Sequence, residues 1–339
     1  MTMEEQNNKL PSEFEAIINE LEESRSAYVA KTKGLFKRAF LRTWAAVLIV
    51  FLIIIFVLTD PGDDLLVAII GPTIFSAFAG LLFGGIYTLI RKGINSHKLS
   101  VELKDKLVSK LVTHLNPNLS FSKTGITKTE FNEVAFFRGN QFKSEDSITG
   151  IIEGVKIKMA ECTQYSTSSS NNNKSTTTYF KGMFVKLEFP EQVLSGTLKV
   201  VPKLNLDMLG GFLQNVVNQL ATSSRFIIEE NKLEMNVLEG KDYSIFCDND
   251  NIANSLVNER FIKVIDFMMN KYEGKNAFLY LNGNSVYCAL ESKEDLFEAD
   301  AFLKHSLIES NLAGKFYNDL LNIDQLIKEL LLLKKAVNN

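Results

Sequence analysis

Cysteine, histidine, tryptophan and proline are all scarce in this 339-residue chain, with three, three, one and six copies. Cys162, Cys247 and Cys288 are odd in number and far apart, and none forms a Cys-x-x-Cys. A disulfide framework or a zinc site would need pairs, so ordinary packing inside strands and a reducing compartment are expected. His97, His114 and His305 are equally scattered, with no His-Glu-x-x-His. Basic excess is missing too. The first 92 residues take 9 of the 37 Lys and Arg and 10 of the 40 Asp and Glu, which leaves the remainder at −2. A nucleic-acid binder shows a basic patch or stripe, so no nucleic-acid partner is expected.

Phosphate-binding motifs are missing as well. The nearest P-loop fragment is Gly240-Lys241, but Met235 stands where the first glycine belongs. Asp248-Asn249-Asp250 opens like a calcium loop and then fails, with Ile252 at the third ligand position and Ala253 where the sharp turn needs glycine. No cofactor or metal is implied. The remaining acidic pairs, Glu145-Asp146 and Asp248/Asp250, are weak catalytic candidates that read more simply as turns and a helix cap.

What the chain does have is two uncharged apolar runs. Trp44 to Thr59 reads WAAVLIVFLIIIFVLT, and Leu65 to Ile90 reads LLVAIIGPTIFSAFAGLLFGGIYTLI. About 20 apolar residues cross a bilayer, so spans are expected at about 40–59 and 68–90. Asp60-Pro61-Gly62-Asp63-Asp64 between them is short and rich in turn formers, which makes the pair a tight hairpin. Lys31, Lys33, Lys37, Arg38 and Arg42 precede the first run, and Arg91, Lys92 and Lys98 follow the second. The short loop carries three aspartates. Positive charge stays inside, so a multi-pass protein of the cell membrane is expected, with both termini cytoplasmic. No ionisable residue lies at the centre of either run, which argues against a proton or ion path. Ser76, Gly80 and Gly84 recur every four residues, a spacing that lets a second helix approach closely. That helix is the first span or one from another copy, a homo-oligomer contact.

The rest divides into an N-terminal segment (1–39), the hairpin (40–92), a helical stalk (93–116) and an α+β domain (117–339). Phe14, Ile17, Ile18 and Leu21 predict an amphipathic helix from Glu13 to about Tyr28, capped by Ser12 with Glu15. Its polar face is acidic, so it suits a protein surface better than lipid. Leu99, Leu103, Leu107, Leu111 and Leu115 predict a helix to the Asn116-Pro117-Asn118 stop. Residues 148–152, 155–165, 178–189 and 197–201 read as an antiparallel meander with turns at Glu153-Gly154 and Ser195-Gly196. The polar tract 166–177 (STSSSNNNKSTT) reads as an exposed, disordered hairpin tip. The apolar segment 204–221 fits a helix, a lid or a membrane-adjacent loop. Strands at 232–237 and 243–247, a helix at 252–269, a hairpin about Asn282-Gly283 and helices near 299–309 and 323–336 complete an α+β membrane protein with an antiparallel sheet.

Several segments resemble a known family: SEDSITGIIEGVKIKMAE (Ser144 to Glu161), YFKGMFVKLEF (Tyr179 to Phe189), YSIFCDND, VYCALES and DLFEAD. They look like the bacterial membrane family known as domain of unknown function 3137. Glu145, Asp146 and Gly150 match its Glu-Asp-x-x-x-Gly segment, and Phe180, Lys181 and Gly182 its Phe-Lys-Gly strand, over roughly residues 30–300. The resemblance implies membrane placement and no particular activity. A membrane-anchored cytoplasmic module that binds or scaffolds a protein partner is the expectation. The alternatives are an unrecognised enzyme at the membrane surface and an oligomeric pore subunit.

Overall fold

The computed structural model describes residues 10–58, 65–134, 136–137, 139–170, 173–202, 233–235, 243–247, 259–271, 277–292, 296–298, 303 and 305–337. The segment 204–221 and the pair Asp248/Asp250 lie outside these residues. The chain divides into two compact units: residues 1–107 with 298–314, and residues 108–297 with 315–339.

In the first unit, helix α1 (Glu15–Thr32) follows a 3-10 turn at Ser12–Phe14. The expected cap at Ser12 is not formed. Ser12 is inside the turn, and neither helix start carries a side-chain cap bond. Phe14 and Leu21 are buried, as the apolar face requires. Helix α2 (Leu35–Leu58) follows, and α3 (Leu65–Leu115) is one continuous helix of 51 residues, ending at the expected stop. Among the described residues one helix is long and apolar enough to cross a membrane, over Thr73–Leu115.

The second unit is built on an all-antiparallel sheet. Its strands are β1 (Leu119–Thr124), β2 (Gln141–Ile152), β3 (Val155–Ser170), β4 (Asn173–Glu188), β5 (Thr197–Pro202), β6 (Leu233–Met235), β7 (Tyr243–Cys247), β8 (Ala277–Asn282) and β9 (Ser285–Glu291). Among the described residues their order is β1-β2-β3-β4-β9-β8-β5-β7-β6. The mixed helix and antiparallel-sheet class is therefore the observed one. Two of the three expected turns are tight: Glu153 and Gly154 have φ of 50° and 80°, and Gly283 has 58°, whereas Ser195 and Gly196 are bends leading into β5.

Period-2 alternation gives the sheet two faces. Met159, Val185, Cys288, Leu279, Val200 and Ile245 are paired in register across six strands, and all are buried. Residues next to them in sequence point the other way. Ala160, Phe184, Ala289 and Phe278 form a parallel row there. Short helix α4 (Lys128–Asn132) and the residues after it lie over this second face, where Phe131, Phe136, Phe137, Phe180, Phe184 and Phe278 make an aromatic core.

Four expectations need correction. Glu145-Asp146 is no turn before a strand, because both sit within β2. The tract 166–177 forms the expected hairpin tip, but its described residues are strand rather than disordered loop, because Ser166 pairs with Thr177 and Ser170 with Asn173. Its Thr and Ser side chains cannot form a core, but backbone pairing continues from the strands that feed it. The last helix, α6 (Leu312–Val337), starts eleven residues before the expected 323, and His305 to Asn311 are bends and turns. Helix α5 (Glu259–Lys271) is the described part of the expected 252–269 helix.

Candidate functional site

Residues 145 and 146 mark a break in the β2–β3 ladder. Glu145 pairs with Glu161 and Ile148 with Met159, so two residues on β2 oppose one on β3. This is a β-bulge. It holds Asp146 at φ 55°, a backbone region that non-glycine residues rarely occupy. Asp146 and Ser147 are buried, and the Ser147 hydroxyl donates to the Thr124 carbonyl at 2.5 Å. Glu145 is half-exposed and pairs with Lys143 at 2.9 Å. The two neighbouring carboxylates thus lie in different environments, one paired at the surface and one in the bulge. Among the described residues no three His, Cys, Asp or Glu side chains gather as metal ligands.

The glycines of the two resembling motifs have a steric explanation. A Cβ at Gly150 would run into the Asn118 carbonyl, and one at Gly182 into the Leu290 carbonyl on β9. Each motif therefore marks a place where two backbones touch.

On α3, Ser76 is fully buried and donates to the Thr73 carbonyl at 2.9 Å. A Cβ on Gly80 would come within 3.0 Å of the Trp44 Cβ, and one on Gly84 within 3.0 Å of the Phe40 backbone. The helix against this small-residue row is α2 of the same chain.

A polar cluster that the sequence reading overlooked fastens α4 to the sheet. Thr127 caps α4 in a reciprocal box: its hydroxyl accepts from Glu130 N, and Glu130 accepts from Thr127 N at 2.8 Å. The signal was the pattern Thr127-x-x-Glu130. Glu130 also takes Lys158 from β3, and Glu133 takes Lys186 at 2.8 Å and the Tyr287 hydroxyl at 2.9 Å. Burial disfavours the Glu130 charge, but the bonds from Lys158 and Thr127 outweigh it and hold its carboxyl at about 2. Burial likewise opposes the Lys186 charge, and Glu133 with Glu188 overcome it and raise its pKa. Thr127, Glu130 and Glu133 thus bind a roof over the aromatic core rather than framing a cleft.

The thiols behave as packing. Cys162 and Cys288 are buried and unpaired, and burial pushes the Cys162 thiol up to about 12 against a weak bond from Ser144.

An exposed arm is formed by the ends of β3 and β4. Pairing of β2 with β3 stops at Tyr165, and pairing of β9 with β4 starts at Gly182. Ser166–Ser170 and Asn173–Thr177 therefore pair only with each other among the described residues. Thr167, Ser168, Ser169, Ser175, Thr176 and Thr177 are exposed.

Fold and site together define a mixed α+β protein, with an antiparallel-sheet unit, a two-stranded arm and a helical unit holding one long apolar helix. The family model described as "Protein of unknown function (DUF3137)" matches residues 178–332. That stretch contains Phe180, Lys181 and Gly182 but not Glu145, Asp146 and Gly150, so the matched region starts later and ends later than the expected 30–300. Among curated proteins none matches in sequence. A solved structure, the crystal structure of the mycobacterial trehalose monomycolate transport factor A, TtfA, is similar at 7% identity and a TM-score of 0.36, covering 65% of this chain and 95% of that one.

Proposed function

We propose that the chain is a membrane-anchored module: α2 and α3 form a two-span hairpin, both termini are cytoplasmic, and the sheet unit engages a protein partner. The observation that carries the anchor is exposure. Of the most apolar stretch of α3 only 22% is buried within the chain, whereas the core helix of a water-soluble protein is mostly buried. Ile74, Phe78, Phe83 and Leu89 on α3 and Ile49 and Ile53 on α2 are all exposed. Single exposed apolar residues are ordinary, but rows along two adjoining helices are not. The basic residues cluster at the same end of both apolar runs, before that of α2 and after that of α3, which supports cytoplasmic termini.

The arm of β3 and β4 supports the partner reading. Its outer edges carry main-chain donors and acceptors that an extended segment of another protein can pair with.

Cysteine labelling tests this reading. With Cys247 changed to serine, Asp63→Cys should react with a membrane-impermeant maleimide in intact cells, and Ser168→Cys only after permeabilisation. Labelling of Ser168→Cys but not Asp63→Cys in intact cells would reverse the orientation, labelling of both would overturn the two-span hairpin, and release of the chain by alkaline carbonate would remove the anchor. A photo-crosslinking residue at Ser168 should capture a second protein, and the capture should vanish when residues 167–176 are shortened to a two-residue turn.

A further inference from the structure

Eight basic residues flank the apolar runs, and orientation in a membrane explains them only as a group. In the first unit five of them, Lys31, Arg38, Arg42, Arg91 and Lys98, line one cavity of about 860 Å³ between α1, α2 and α3. Glu102 is the single carboxylate in that lining, so the walls carry a net charge of +4. The size falls in the range of small-ligand sites.

Two of the three arginines, Arg38 and Arg91, are held by neutral groups. Arg38 Nη2 donates to the Lys31 carbonyl at 3.0 Å. Arg91 donates to the Tyr87 hydroxyl and lies over the Tyr87 ring, 5.6 Å from its centroid. Both contacts fix the guanidinium without cancelling its charge. Among the described residues none of the five cations has a carboxylate within ion-pair distance. Gathering like charges about one space is unfavourable until an anion enters it. Guanidinium forks match the oxygens of phosphate best, and Ser24 and Asn95 add neutral donors.

We propose that this cavity binds a phosphate-bearing anion, and that the headgroup of an anionic lipid supplies it. The choice of a lipid rests on the anchor reading above; the choice of phosphate does not. Arg42 lies just before the apolar run of α2, and Arg91 just after that of α3, so an anchored hairpin puts the cavity at headgroup depth. Phe36 and Leu41 on α2, and Leu89, Ile90 and Ile94 on α3, are exposed on the same stretches and can take acyl chains.

The test uses the full chain in phosphatidylcholine nanodiscs containing a minor share of phosphatidylglycerol, with retained lipid counted by native mass spectrometry. Phosphatidylglycerol should be retained over phosphatidylcholine, and Arg38→Gln with Arg91→Gln should weaken retention roughly 30-fold. Lys143→Gln with Lys156→Gln, outside the cavity, should change nothing. Should the arginine pair fail to fold by circular dichroism, Arg42→Gln with Lys98→Gln makes the same demand. Glycerol 3-phosphate titrated into the detergent-solubilised chain separates the sources. Saturation by it, sensitive to the same variants and without lipid selectivity, assigns a soluble anion. Equal retention of both lipids with no glycerol phosphate binding overturns the site, as does lipid selectivity that survives both variant pairs. Carbonate washing separates this outcome from the anchor: a chain that stays in the membrane and binds neither probe has lost the site but kept the anchor. A chain that washes off and still binds glycerol phosphate has lost the anchor but kept the site.

Discussion

Phe131 packs against Phe142 at 4.9 Å, Phe184 at 5.1 Å and Phe180 at 5.6 Å between ring centroids, and it is 1% exposed. It is the side chain by which α4 enters the core. Phe131→Ala should lower stability by about 3–5 kcal/mol, read as a fall in the urea midpoint by circular dichroism. Around it, Glu130 has a folded-state carboxyl near 2, below the ordinary value for an unfolded chain. Its contribution is therefore full above the unfolded value and is lost as pH falls toward 2. Wild type should lose stability across that acid window more steeply than Glu130→Gln, whose midpoint should be lower at neutral pH and flatter against pH. None of this was legible from composition. The Thr127-x-x-Glu130 pattern was in view, but α4 spans only five residues, too few to show periodicity.

The strands show how far local pattern carries. Alternation located the centres of β2, β3, β4 and β5, because each has a buried face with β-branched or aromatic residues. It underestimated the arm ends of β3 and β4, because Ser and Thr there extend a ladder without burying anything. The bulge at Asp146 was illegible, since one extra residue leaves composition untouched. The Glu153-Gly154 turn joins β2 and β3 with both residues at positive φ, and Glu153 is exposed. Asparagine tolerates that conformation better than glutamate. Glu153→Asn should raise stability by about 0.5–1 kcal/mol, and a lower thermal midpoint would contradict this account of the turn. Helix α3 gives a matched pair of its own. A Cβ at Gly84 meets the Phe40 backbone, while one at Gly93 meets nothing within 4 Å. Gly84→Ala should destabilise by about 1–3 kcal/mol. Gly93→Ala should stabilise by up to about 1 kcal/mol through helix propensity. Thermal scans of the two solubilised variants should move in opposite directions.

At the scale of the molecule, the chain is not divided where its hydropathy changes. Apolar runs suggested breaks near residues 39, 92 and 116, whereas each compact unit is assembled from two separate chain segments. Residues 298–314 are the telling piece. They lie late in sequence yet belong to the first unit, where the Leu307 amide donates to Glu22 Oε2 at 2.9 Å. Glu22 also takes Arg25, and that bond, with burial opposing it, holds its carboxyl below the usual range. No periodicity signals a contact made across 285 residues of separation. The division leads to a prediction about fragments. Residues 108–339 contain every described strand together with α6, so this fragment should fold alone, giving one cooperative thermal transition and resisting proteolysis in its strands. Its residues 298–314 have lost their unit, so protease should cut there first, near Leu307. A fragment of residues 1–107 lacks that segment. Supplied with a synthetic 298–314 peptide in detergent, it should bind the peptide, and Glu22→Gln should weaken binding because the Leu307 amide then meets a neutral acceptor in place of a carboxylate. Early cleavage throughout the strands of 108–339 would show instead that the sheet unit depends on the helices before it.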